Sequence, residues 1–308
     1  MSIADLSDRD LEPVELDRMP VVGFHLAGSL PPLLAVRTWS EEVENYRRLA
    51  EQLGPGQPIY TVSPPRGELA SDFPTDTDAW ADFCIRRFDS LLERQQVVLM
   101  GWSYAGVVAL RIAERVAARG VDVRLVVLVD STLPRKKPWG SSLKRGELHH
   151  FAVMAARWFE FDDASARGEF FRRYLRKALK RWGKKLVRPF VARGEPKQAD
   201  AETASSIENR GSRERRLPLL MRAIRIAYLK HQARPTRLPV ALFWTEESRQ
   251  RAGDTSLGWS SVLQGDIEIV RVGGTHHTVF AKEHIGALAT RLAGSLRRVW
   301  AEEPAPRD

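Results

Sequence analysis

A chain of 308 residues, 43% apolar and 28% charged, has the composition of a folded globular protein and can bury a core without disulfides or metals, which excludes disordered, collagenous and coiled-coil classes. Its one cysteine, Cys84, excludes an internal disulfide and suits a reducing cytoplasm, and no apolar run reaches the ~18 residues that a membrane span requires. The net charge of +9 is uneven: residues 135–234 carry 26 basic and 10 acidic residues, a net of +16, and the remainder carries 22 and 29, a net of −7.

Residues 1–19 form an acidic leader without the apolar stretch of a signal peptide, so a cytoplasmic protein is expected. PVVGFHLAG (20–28), PIYTVSP (58–64), QVVLMGWS (96–103) and RLVVLVDS (124–131) are short, β-rich runs ending in turns. Between them, 40–54, 78–94 and 103–120 place apolar residues at helical spacing, and the first and third stop at Gly54 and Gly120. Continuous apolar strands alternating with helices predict a mostly parallel sheet covered on both faces. Past Pro134 the pattern changes to helices and basic loops. FFRRYLRKALKRWGKKLVRPF (170–190) holds nine basic residues and no acidic one, on an amphipathic helical pattern, and the polar stretch 191–216 predicts a loop. Strand and helix patterns resume at LPVALFWTE (238–246), DIEIVRVGG (266–274) and 283–300. The expected organisation is one α/β core of residues 20–134 and 235–308, interrupted by a basic helical insertion at 135–234.

GWSYAG (101–106) joins the strand VVLM to an amphipathic helix. A serine on a sharp strand-to-helix turn lifts its hydroxyl above the sheet, and the helix N-terminus offers N–H groups to developing negative charge. Ser103 is therefore the candidate nucleophile, although Ala105 stands where the usual G-x-S-x-G pattern has its second glycine. A hydroxyl needs a base to take its proton and an acid to orient that base. GGTHHTVF (273–280) places His276 and His277 in a glycine-led loop after the last strand. Adjacent histidines are poorly spaced as metal ligands. His25, His149, His150, His231 and His284 lie outside such a loop. Asp130 ends one strand and Glu246 and Glu247 end another, so three residues compete for the orienting acid.

Taken in order, GFHLAGS, PIYTVSPPRG, GWSYAG, VLVDST and VGGTHHTVF resemble the thioesterase domains of non-ribosomal peptide and polyketide synthases. The likeness spans 20–134 and 217–300. LMRAIRIAYLKHQARP and DTSLGW (254–259) resemble the chain-terminating, type I branch. The resemblance implies an α/β-hydrolase fold with a helical lid, and a Ser–Asp–His triad of Ser103, Asp130 and His276. It favours Asp130 because that branch carries its acid after the same strand, and it places the Ala27 and Tyr104 backbone N–H groups in an oxyanion hole. His25 matches a family position to which no chemistry is assigned. The substrate would be an acyl, peptidyl or polyketide chain on a carrier protein's phosphopantetheine, with no metal or cofactor bound to the enzyme itself. With no carrier region ahead of the core, the chain is expected to be free-standing, meeting its carrier in trans, or a domain from a longer protein.

The basic insertion fits an acidic partner, and Arg172, Arg173, Arg176 and Lys177 on its amphipathic helix are the residues expected to meet the carrier. A solvated helix face is the plainer alternative for the same charges. Nothing in the sequence has the zinc-finger spacing, RNP-like aromatics or heptads of a nucleic-acid binder. Two other functions use the same residues: a serine esterase or acyltransferase on a free small ester, and an idle binding module for an acidic partner.

Overall fold

The computed structural model describes residues 4–5, 21–38, 42–62, 65, 69–93, 96–133 and 218–301. Most of the acidic leader, the amphipathic stretch with Arg172, Arg173, Arg176 and Lys177, and the loop expected at 191–216 lie outside these residues. The chain divides into two compact units, Met1–Lys136 with Ser206–Asp308, and Lys137–Ser205. Only the first is described below.

Among the described residues eight strands make one sheet: β1 (Ala4–Asp5), β2 (Val21–Phe24), β3 (Leu33–Val36), β4 (Ile59–Val62), β5 (Gln96–Trp102), β6 (Asp122–Val129), β7 (Val240–Trp244) and β8 (Ile267–Arg271). Their order is β1-β2-β4-β3-β5-β6-β7-β8, with only β2 and β4 antiparallel among neighbours. The helices are α1 (Glu42–Leu53), α2 (Thr77–Leu92), α3 (Tyr104–Ala117), α4 (218–230), α5 (Glu246–Ala252) and α6 (Lys282–Ala301). This is the expected α/β-hydrolase architecture, a mostly parallel sheet flanked by helices.

The middle strands are apolar on both faces because helices cover both. Val97 and Leu99 of β5 join an apolar cluster with Trp80, Ile85 and Phe88 of α2 and Val108 and Ile112 of α3. On the opposite side α1 packs against α6. Asp76 caps α2 by accepting from the Ala79 N–H at 2.7 Å, and Cys84 lies on the buried stripe of that helix. Gly54 and Gly120, at the stops predicted for α1 and α3, take the positive φ angles of 84° and 87° that favour glycine. β3 is an element the sequence reading missed. Its four residues follow Pro31 and Pro32 and are fully buried, in a strand no shorter than β2 or β4.

α4 falls within the segment 135–234 expected as an insertion, yet its apolar face belongs to the core. Leu220, Ala223 and Ala227 are buried in the same cluster as α2 and α3. The Tyr228 hydroxyl donates to the Thr132 carbonyl at 3.1 Å, and His231 Nδ1 lies 3.2 Å from Thr77 Oγ1. Among the described residues no helix is long and apolar enough to cross a membrane.

Candidate active site

The parallel register pairs Trp102 of β5 with Val129 of β6, so Ser103 and Asp130 leave adjacent strands side by side at the same level. Both turn sharply: Ser103 has φ 56° and Asp130 φ 46°, and His25 at the end of β2 has φ 54°. Non-glycine residues rarely adopt such angles; Ser103 and Asp130 meet at the C-terminal edge of the parallel strands, whereas His25, on antiparallel β2, lies at the other edge. The turn at Ser103 is fixed by its N–H, which donates to the Val129 carbonyl at 3.0 Å, and by the Gly106 N–H, which donates to its carbonyl at 3.1 Å. It also needs Gly101 and Gly106. A Cβ on Gly101 would stand 2.2 Å from the backbone of Ala105, and one on Gly106 would stand 2.7 Å from the Ser131 side chain. Ala105 itself is fully buried, so alanine fits where the sequence pattern expects glycine.

Asp130 is wholly buried. Its carboxylate accepts three hydrogen bonds: Oδ1 from the Thr245 N–H at 2.8 Å, and Oδ2 from the Ser248 hydroxyl at 2.6 Å and His276 Nδ1 at 2.7 Å. Burial alone raises a carboxyl pKa, but here it is outweighed by His276, Ser248 and Thr245, which hold the group below its ordinary value. Asp130 is thus an ionised hydrogen-bond acceptor aimed at an imidazole.

His276 is only 7% exposed. Its loop is shaped by Gly274, at φ 82°, where a Cβ would lie 2.6 Å from the His284 ring. The Thr275 N–H donates to Thr278 Oγ1 at 2.8 Å. The His276 ring lies 5.5 Å from the Trp102 ring and 5.1 Å from the His277 ring, centroid to centroid. Phe280 stands 5.5 Å from Trp102 on the same side. Of the two adjacent histidines, it is His276 that bonds Asp130. Glu246 and Glu247, the rival acids, do not touch the imidazole nitrogens. Glu246 bonds Arg249 and Gln250 at the surface, and Glu247 accepts from the backbone N–H of His276 at 3.0 Å.

Two further groups of residues have roles that sequence reasoning did not assign. Thr245, Glu247 and Ser248 all bond Asp130 or His276; the signal was Thr245, a helix N-cap directly after a strand. Trp259 donates from Nε1 to the Ser131 carbonyl at 2.7 Å, and the Leu133 N–H donates to the Leu257 carbonyl at 3.0 Å. The DTSLGW segment therefore ties down the loop that follows Asp130. Among the described residues Ser103 and His276 make no hydrogen bond to each other. Ala27, expected as an oxyanion-hole donor, is exposed in the turn after β2; because β2 runs antiparallel to β4, that turn lies beside the start of β4, at the edge of the sheet opposite Ser103, so its N–H is not placed to meet the oxyanion. Tyr104 opens α3, where N–H groups lack intrahelical acceptors.

A strained serine at a helix N-terminus beside a buried Asp–His pair is the arrangement of a serine acyl-transfer site. The thioesterase-domain family model matches residues 38–296. The chain belongs to the thioesterase-domain family. It is 24% identical over 299 residues to orsellinic acid synthase armB of Armillaria mellea; the match covers 94% of this chain but 12% of that synthase. Among solved structures, it resembles a four-domain non-ribosomal peptide synthetase bound to AMP and glycine, with a TM-score of 0.64 at 17% identity, over 89% of this chain and 20% of that one. It also resembles the NocB thioesterase domain in covalent complex with a fluorophosphonate nocardicin G analogue, with a TM-score of 0.58 at 19% identity, over 92% of this chain and all of that one. The thioesterase-domain chain thus spans about an eighth of its first curated relatives, which are large synthases.

Proposed function

We propose that this thioesterase domain releases an acyl, peptidyl or polyketide chain from the phosphopantetheine thioester of a carrier protein, through an acyl-serine intermediate on Ser103. The observation that carries the reading is the 2.7 Å hydrogen bond between buried Asp130 and His276, on strand ends neighbouring the strained Ser103 turn. His276 Nε2 takes the Ser103 proton as Oγ attacks the thioester carbonyl. Asp130, ionised, holds the imidazole by Nδ1 and stabilises its charged form. Negative charge gathers on the carbonyl oxygen, met by the N–H group of Tyr104 at the head of α3, worth about 3 kcal/mol of barrier. Collapse breaks the C–S bond, and the departing thiolate takes the proton from His276. Water or another nucleophile, activated by the same histidine, then resolves the ester.

The membership of a thioesterase family and the synthase relatives support the carrier-bound substrate. The +16 charge of residues 135–234 supports an acidic carrier as partner. A serine esterase acting on a free small ester would use the same three side chains, and the basic segment favours the carrier. Ser103→Ala is expected to abolish covalent labelling by a fluorophosphonate probe, and Asp130→Asn to lower turnover by ~10⁴ with the fold intact. Labelling that survives Ser103→Ala, or an Asp130→Asn enzyme near wild-type rate, defeats the proposal. Carrier-bound thioester, compared with the same acyl group on a small thiol, separates the carrier reading from the esterase reading: only the first predicts a KM for carrier that rises with salt.

A further inference from the structure

α5 has seven residues, too few to contribute much as a packing element, yet three of its first contacts go to the two groups on which acyl transfer depends. Thr245, its N-cap, uses its side-chain oxygen to accept from the Ser248 N–H at 3.3 Å. The same residue's N–H reaches Asp130 Oδ1. That cap fixes the first turn and with it the Ser248 hydroxyl, which is buried with Thr245 and reaches Asp130 Oδ2, the very oxygen that holds His276. The adjacent Glu247 points the other way along the turn. Its Oε2 accepts from the His276 backbone N–H, while its Oε1 is held by Arg251, one turn on, at 2.7 Å. One short turn of helix thus grips the acid by its carboxylate and the base by its backbone.

We infer that α5 is a bracket that sets the distance and direction between acid and base, with Ser248 and Glu247 as positioning residues for Asp130 and His276. The inference rests on the triad reading above. It gives Glu247 a role that is different in kind from that of an orienting acid. An orienting acid must be charged and must face the ring; Glu247 faces a main-chain N–H, for which an uncharged carbonyl oxygen serves as well. Glutamine should therefore replace it and alanine should not. Ser248 likewise supplies a hydroxyl donor to a carboxylate oxygen already engaged by His276. Without it, Oδ2 gains freedom to rotate, and the imidazole loses the fixed partner that sets its tilt toward Ser103. Displacements of this kind, far smaller than a side chain, are enough to slow positioned chemistry by about 10–100-fold. Arg251, which holds Glu247 Oε1, and His277, whose ring lies 5.1 Å from that of His276, stay in place in every variant below.

The test is the second-order rate of Ser103 labelling by a fluorophosphonate, together with kcat and KM on a short acyl thioester. A third measurement is the downfield proton resonance of the His276 Nδ1–H···Asp130 hydrogen bond. Glu247→Ala and Ser248→Ala are each expected to lower labelling and kcat about 10-fold at unchanged KM and to shift or broaden that resonance. Glu247→Gln and Ser248→Thr should restore rate and resonance to near wild type. Ala variants that label within twofold of wild type with an unshifted resonance overturn the inference, even where their Tm falls, and so does a Glu247→Gln variant as slow as Glu247→Ala. Ser103→Ala and Asp130→Asn run alongside: if both are inactive while the α5 variants are normal, the bracket fails and the triad stands. An active Asp130→Asn would instead remove the triad reading itself.

Discussion

Asp130 and His276 leave strands of opposite character. β6 buries every residue of its second half, Leu125 to Val129, with strands on both sides of it. β8 lies at the end of the described sheet, and of its five residues only Val270 is buried. The nucleophile, from β5, shares the packing of β6. An acid or nucleophile carried by a central strand is therefore located by core packing before any polar contact is made. A base carried beyond the last described strand owes less to its strand: Val279 and Phe280 anchor its loop, and its direction depends on individual contacts, Glu247 to its backbone, Asp130 to its ring and the Trp102 face against it.

The comparison breaks most readily by removing volume. Leu128→Ala, at a fully buried position of β6, is expected to cost about 4 kcal/mol, read from urea denaturation. Adding volume next to the serine should cost slightly less. Gly101→Ala forces a Cβ into the Ala105 backbone, which predicts a loss of about 3 kcal/mol and loss of Ser103 labelling together. At the rim of the core, burial and the neighbouring Arg111 push the His231 imidazole down to about 4, with Asp78 acting the other way. The unfolded chain binds that proton near pH 6.5 and the folded chain does not, so stability complete above pH 6.5 falls as pH drops toward 4. After allowance for its partial exposure the loss is about 1–2 kcal/mol, and His231→Asn should flatten this part of a Tm-against-pH curve. Smallest of all is Ile269→Ala on β8, where the side chain is 45% exposed and a change within about 0.5 kcal/mol is expected. A cost near that of Leu128→Ala would mean that the β8 edge is covered and would undo the contrast.

The elbow was legible because its requirements are local. A buried strand, a G-x-S turn and an amphipathic helix occupy consecutive residues, and the structure puts β5, Ser103 and α3 there. The glycine-led loop announced His276 in the same way, through a turn that only glycine at position 274 satisfies. The choice of acid was of another kind. Asp130, Glu246 and Glu247 all follow closely on strands, and spacing cannot say which carboxylate faces an imidazole 146 residues from Asp130. The pairing is decided by the order of β6, β7 and β8 in the sheet. Glu247 was misread as a rival because its actual partner, a main-chain N–H 29 residues away, leaves no mark in composition or period. α5 escaped notice because seven residues are shorter than the window in which helical periodicity appears.

Cys84, the chain's only cysteine, sits on the core face of α2 with burial pushing its thiol up to about 12. At neutral pH it holds almost no thiolate, and the thiolate is the form that alkylating and disulfide reagents attack. For conjugation chemistry the native chain consequently behaves as one without cysteine. A maleimide dye, a spin label or a disulfide-tethered pantetheine mimic can be directed to an introduced surface cysteine with no need to replace Cys84. The same shielding spares the α2–α3 core the cavity that replacing Cys84 would risk.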